Sequence, residues 1–215
     1  MGSGPSVSGY LGELKEWPGE IWAINGAYRY LIENGVHVHG FVGLDPVPGL
    51  KEYVEVRRGH TTFLLASVCD PSVFDELKDE DVWLWHSKQG ELFRYPKGSQ
   101  VVGGGTTCLT RAPFLAHMVG WRDITVYGAD SSFDEDAYCY RTGAFREDTT
   151  RPRIPVEVAG TNKVFWTEAN LLKQVSVFGV MMRMFNETHP ILKMRCGGLM
   201  QAFLDSPMYE IRDAA

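Results

Sequence analysis

The sequence lacks any apolar run approaching the roughly 20 residues that a membrane-spanning helix needs, and its first residues carry neither the basic nor the apolar region of a secretory leader. A cytoplasmic chain without a membrane span is therefore expected. Cysteine is sparse: Cys69, Cys108, Cys139 and Cys196 lie far apart and form no CxxC pair, which argues against a disulfide framework and against a thiolate zinc site. Positive charge is also short, with 21 Lys and Arg against 27 Asp and Glu. The resulting net charge of -6 gives a field that does not favour nucleic acid or an anionic membrane. Internal repeats and low-complexity tracts are absent. What remains is ordinary globular composition, 44% hydrophobic and 22% charged, in 215 residues, a length that suits one α/β domain.

Short apolar runs alternate with amphipathic stretches, the pattern of a sheet with crossover helices. Residues 20–25, 39–44, 61–67, 81–86 and 123–128 read as buried strands, each β-branched or aromatic and bounded by turn residues. Residues 7–16, 27–34, 46–54, 71–78 and 106–119 carry helical spacing, with Asn34-Gly35 as a stop and Asp70-Pro71 as a start. The expected fold is α/β: a single Rossmann-like, open, mostly parallel sheet with helices on both faces and a lid excursion. Residues 1–135 would form a nucleotide-binding core and 136–164, which include a β-like run at 154–158, the lid. Residues 165–215 would close the same domain with a long helix over 166–185 and a segment at 194–204.

Five motifs could carry chemistry. Gly2, Ser3, Gly4, Pro5 and Ser6 lead into a helix, where small residues let backbone approach an anion; a flexible glycine-serine start is the alternative. Asn25 and Gly26 follow a strand, at the edge where open α/β sheets place ligands, although Asn-Gly also makes simple turns. Asp45 ends the next strand. Gly103, Gly104 and Gly105 with Thr106 and Thr107 open a helix, and a glycine triplet points to close backbone approach or to a mobile loop. Asp130, Ser131 and Ser132, followed by Asp134, Asp136, Tyr138 and Tyr140, bring carboxylates, hydroxyls and phenols past a strand end, suited to ligand, metal or proton-transfer roles or to a solvated acidic loop. All five fall at C-terminal strand ends or helix starts, where one crevice would gather them.

Among the histidines, His86 ends a strand and is the preferred functional one. His37 and His39 share a strand face but have no third ligand at metal spacing, so zinc is not expected. His60, His117 and His189 read as surface or packing residues.

The segments GSGPS, AINGAYR, GFVGLDP, LLASVCDPSVFDEL, VVGGGTT and ITVYGADSS, in this order, resemble the 6-hydroxymethylpterin diphosphokinase-like (DUF115) family over residues 2–140. That family is in turn similar to the GT42 sialyltransferases, which implies a nucleotide-binding α/β sheet with a lid. By this resemblance residues 2–6 correspond to a nucleotide-binding GNGPS loop and Asn25 to an asparagine that contacts the nucleotide. Gly105-Thr106 falls near a Ser-Gly helix start, and Tyr138 corresponds to one of two tyrosines that hold the donor's leaving phosphate. Ser132 stands where the second tyrosine would be, and the lid histidine that acts as base falls near Trp166, so the base does not carry over. Such folds place a strand ahead of the glycine loop, which this sequence reaches already at Gly2.

The leading expectation is a glycosyltransferase that takes a nucleotide-sugar donor, with Asp45, His86 and Asp130 as candidate bases. The alternative is a diphosphotransferase using ATP, with Mg²⁺ held by Asp45 and Asp130; a non-catalytic nucleotide-binding module is the third. The acceptor is open among glycan, protein, small alcohol and modified DNA base. Arg141, Arg146, Arg151 and Arg153 form the one basic concentration suited to a phosphate-bearing acceptor.

Overall fold

A computed structural model describes residues 1–56, 60–88, 94–105, 107–133, 152–187 and 191–206. The chain divides into two compact units: Met1–Gly2 with Tyr10–Trp121, and Ser3–Gly9 with Arg122–Ala215. The core expected over residues 1–135 thus has parts in both.

In the first unit five strands form one parallel sheet in the order of the chain: β1 (Trp22–Ile24), β2 (Gly40–Gly43), β3 (Thr62–Ala66), β4 (Val82–Ser87) and β5 (Val101–Val102). The expected α/β fold on a parallel sheet is observed. Helices α1 (Leu11–Lys15), α2 (Asn25–Glu33), α3 (Lys51–Val54), α4 (Pro71–Glu76) and α5 (Cys108–Met118) surround it. All four residues of β2 are buried, as are Phe63, Leu64, Leu65 and Ala66 of β3, so these central strands are covered on both faces, as parallel sheets require. Phe41 and Phe63 are register partners, and the Tyr28 ring of α2 meets both edge-on at 5.3 and 6.0 Å. Helix α5 packs on β1, β2 and β5, and the Cys108 thiol donates to the Val42 carbonyl at 3.0 Å.

Local chemistry sets the helix starts. Pro71 stands at the first turn of α4, and the Asp70 carboxylate accepts from the Ser72 amide (3.0 Å) and hydroxyl (2.6 Å), donors that hold its pKa below the ordinary value. Thr107 and Thr110 make a reciprocal capping box for α5.

Because the five strands are parallel and consecutive, the residues that leave their C-terminal ends line one edge: Asn25 after β1, Leu44 and Asp45 after β2, Ser67 after β3, and the glycine triplet after β5. His86 lies one residue inside the end of β4. Beside β1, the Met1 ammonium donates to the Trp22 carbonyl (2.6 Å) and the Met1 carbonyl accepts from the Ile24 amide (3.1 Å), so backbone runs alongside β1 just ahead of the glycine loop.

In the second unit β6 (Ile124–Tyr127) pairs in parallel with β9 (Leu192–Arg195), and β7 (Ile154–Glu157) pairs antiparallel with β8 (Val164–Thr167). Helices α6 (Ala169–Asn186) and α7 (Gly198–Leu204) complete it. The run at 123–128 therefore does not supply the fifth strand of the large sheet; β5 does, and β6 has β9 as its partner. The long helix starts at Ala169 rather than 166, because residues 164–167 belong to the hairpin. None of the described helices is long and apolar enough to cross a membrane.

Candidate functional site

At the end of β1, Asn25 holds a backbone φ of +40°, a region that non-glycine residues adopt at a cost and that asparagine tolerates best. Its Nδ2 donates to Asp45 Oδ2 at 2.5 Å, joining the ends of β1 and β2. Burial pushes the Asp45 carboxyl above its ordinary range, and the Asn25 hydrogen bond opposes that rise. The Asn25 Oδ1 is buried and has no hydrogen-bond partner among the described residues. An orphan acceptor in such a place costs about 1–3 kcal/mol. Gly26, also expected at the site, is buried in the first turn of α2.

Further along the same edge, His86 Nδ1 lies 2.8 Å from Ser67 Oγ, and the His86 ring lies 5.6 Å from that of Tyr95. The Tyr95 hydroxyl donates to the Ser87 carbonyl at 2.9 Å.

The glycine triplet has a partly internal explanation. Gly104 and Gly105 take φ of +83° and +53°, and a Cβ on Gly104 would stand 2.1 Å from the Phe114 ring. Gly103, by contrast, faces open space. Thr107 was expected among nucleotide contacts; its hydroxyl is engaged in capping α5. Beneath this loop the buried Arg111 guanidinium donates to the carbonyls of Val102 (2.7 Å) and Lys88 (3.0 Å), clamping the ends of β5 and β4.

The second unit holds the other half of the expected residues. Gly4 N–H donates to the Gly128 carbonyl at 2.9 Å. A Cβ at Gly4 would meet that oxygen at 2.6 Å and Asp130 Cγ at 2.9 Å, so only glycine allows the loop to lie there. Asp130, expected as a base or Mg²⁺ ligand, instead accepts from the Ser6 amide (2.6 Å), the Ser6 hydroxyl (2.5 Å) and the Gly197 amide (2.8 Å). Ser3 and Pro5 flank this anchor half-buried, while Gly2 is buried in the first unit.

Ser131 and Ser132, expected at the nucleotide, are buried and internally bonded. Ser131, at φ +56°, donates to Gln174 Oε1 of α6 at 2.9 Å, and Ser132 Oγ accepts from the Leu199 amide of α7 at 3.0 Å. Thr106, Asp134, Asp136, Tyr138 and Tyr140, with Arg141, Arg146 and Arg151, lie outside the described residues. Arg153 stacks its guanidinium over Phe133, 4.7 Å from the ring centre.

Ser67, Gly197, Gln174 and Cys108 were not anticipated. The Gly197-Gly198 pair opening α7 was the one available signal, since Gly198 takes φ +58° against Ser132. Cys69 and Cys196 are buried thiols pushed up to about 12, and burial also raises Cys108, so these are inert rather than nucleophilic groups. Among the described residues no group of three or more His, Cys, Asp or Glu side chains is placed to hold a metal ion.

A parallel sheet in chain order with polar side chains at its C-terminal edge defines a protein of the open α/β class. The chain belongs to the 6-hydroxymethylpterin diphosphokinase MptE-like family, whose model matches residues 1–136. The fold is similar to that of a MAf glycosyltransferase from Magnetospirillum magneticum AMB-1, with a TM-score of 0.67 and 18% identity. The likeness covers 99% of this chain and 35% of that one, so this chain spans about a third of the length of the solved protein. No protein of curated function matches it in sequence. The family supports a transferase-like role.

Proposed function

We infer that the chain binds a nucleotide-activated sugar at the C-terminal edge of the five-stranded sheet and transfers the sugar to a hydroxyl acceptor. Asn25 carries this reading: a strained backbone fixed at a strand end, a carboxamide oriented by Asp45, and a buried Oδ1 that lacks a donor among the described residues. A ribose hydroxyl or a base amino group would satisfy that oxygen. Gly103 adds open backbone at the same edge. Asp130 then acts as a positioning residue that shapes the Gly4–Ser6 turn, with transfer relying on placement of the donor and stabilisation of its leaving phosphate. Tyr138 is assigned to that phosphate by family resemblance alone.

A panel of CMP, CDP, UDP, GDP and ATP, with and without Mg²⁺, tests this reading by thermal shift, because a selective ligand raises apparent stability. One nucleoside diphosphate or monophosphate should stabilise the parent, and Asn25→Ala, which should melt lower when unliganded because alanine suits a φ of +40° less well and the Asp45 hydrogen bond is lost, should lose that shift. Equal binding by the variant would remove Asn25 from the site. The family description favours a second reading, diphosphoryl transfer from ATP to a pterin-like alcohol. Alcohol-dependent AMP formation would select it, whereas release of nucleotide from a sugar conjugate selects the first.

A further inference from the structure

We propose that His86, oriented by Ser67, is the general base that deprotonates the acceptor hydroxyl; this rests on the glycosyl-transfer reading. Of the three candidate bases, His86 is the one oriented through one ring nitrogen with the other left to take a proton at the exposed edge. Asp130 is held by three donors, and one Asp45 carboxylate oxygen is bound to Asn25.

Ser67 and His86 stand side by side because of the sheet register. Ala66 pairs with Trp85, and the Ser67 amide donates to the Trp85 carbonyl at 2.8 Å, which brings Ser67 Oγ to 2.8 Å from His86 Nδ1. The Tyr95 ring, inclined by 49°, restricts the imidazole from another side, and Tyr95 is itself tied to the Ser87 carbonyl. Among the described residues Nε2 has no partner. Ser67 is exposed and His86 half-buried, so a substrate hydroxyl can reach them. Both lie at the C-terminal edge that also carries Asn25 and Asp45.

With the proton on Nδ1, the imidazole donates to Ser67 Oγ and presents the Nε2 lone pair. The acceptor O–H proton moves to Nε2, and the electron pair of that O–H bond forms the new bond to the sugar's anomeric carbon. The anomeric carbon–oxygen bond to the phosphate breaks, and its pair leaves with the nucleotide. The Nδ1–H bond to Ser67 strengthens as the imidazolium forms. Ser67 is thus a positioning residue that orients the imidazole through Nδ1 and accepts from it once the imidazolium forms.

Long-range ¹H–¹⁵N correlation spectra of the full chain report the His86 tautomer without any substrate. The Nδ1–H form is expected in the parent, with the Nδ1 resonance shifted in Ser67→Ala by loss of its hydrogen bond; an Nε2–H form in the parent overturns the proposal. With a sugar conjugate of the nucleotide that stabilises the parent in the panel, His86→Gln should keep the nucleotide shift and lose on the order of 10²–10⁴-fold in turnover. Turnover close to the parent overturns the base assignment but leaves donor binding intact, and loss of the nucleotide shift overturns it by moving His86 to donor binding. Failure of the donor reading shows separately, in the parent, as no stabilisation by any nucleotide.

Discussion

At the scale of single residues, polar side chains here are fixed by partners distant in sequence. His39 is an example outside the candidate site. Its Nδ1 accepts from the Ile21 amide at 3.1 Å, which requires that nitrogen to be unprotonated, and the His37 ring meets it edge-on at 4.4 Å. Burial first and the His37 charge second lower its pKa, while Glu20 pulls the other way. A histidine depressed in the folded state contributes stability above its unfolded pKa of about 6.5, and that contribution is lost as pH falls through the folded value. Urea midpoints should therefore decline from about pH 7 downward toward pH 5, and His39→Gln should flatten that part of the curve. A parent and variant with parallel pH profiles would show that His39 titrates alike in both states. Asn25 illustrates what was legible at this scale and what was not. Its type and strand-end position were plain from Ile-Asn-Gly, but its bond to Asp45, 20 residues on, exists only once β1 and β2 pair.

At the scale of elements, apolar runs with clear turn residues on both sides announced themselves. The runs at 20–25, 39–44, 61–67 and 81–86 all form strands of the large sheet, although the last, read as buried, leaves Trp83 and Leu84 exposed. Strand β5 is two residues beside a glycine triplet, too short to show any period. The second half of β8, Trp166 and Thr167, reads as the start of the following helix because an aromatic residue fits either period, and only the Ile154↔Thr167 pairing decides it. β9, Leu192–Arg195, alternates apolar and basic residues and gains its identity from β6. Helix α5 was visible from its cap, and the cap can be tested. Thr107→Ala removes the hydroxyl that accepts from Thr110 N–H and leaves that amide without its side-chain partner. A loss of about 1 kcal/mol is expected from chemical denaturation, with nucleotide binding changed only as far as the adjacent loop loosens. An unchanged midpoint would mean that the loop backbone or water caps the helix equally well.

At the scale of the whole molecule, the second unit is not a contiguous piece of sequence, because Ser3–Gly9 belongs with Arg122–Ala215. The Gly4–Ser6 turn is held by Gly128 and Asp130, more than a hundred residues away, and Asp130 also gathers Gly197 and, through its carbonyl, the Met200 amide. The motif was readable as a glycine-serine loop, yet what fixes it was not, since closing so long a loop leaves no local trace. Asp130→Asn tests whether this one carboxylate joins three separate stretches of the unit. The amide offers a single acceptor oxygen and no charge, so it cannot serve Ser6 N–H, Ser6 O–H and Gly197 N–H together. Hydrogen bonds to a charged acceptor contribute about 1.5–3 kcal/mol, and a destabilisation of that order is expected in urea. Hydrogen exchange then separates a local from a general effect: the amides of Ser6, Val7 and Gly197 should lose protection well beyond the global change, while those of β2 and β3 in the other unit should follow the global change alone. Uniform loss across both units would make Asp130 an ordinary stability residue, and retained protection at Ser6 would show that Gly128 and the backbone suffice to hold the turn.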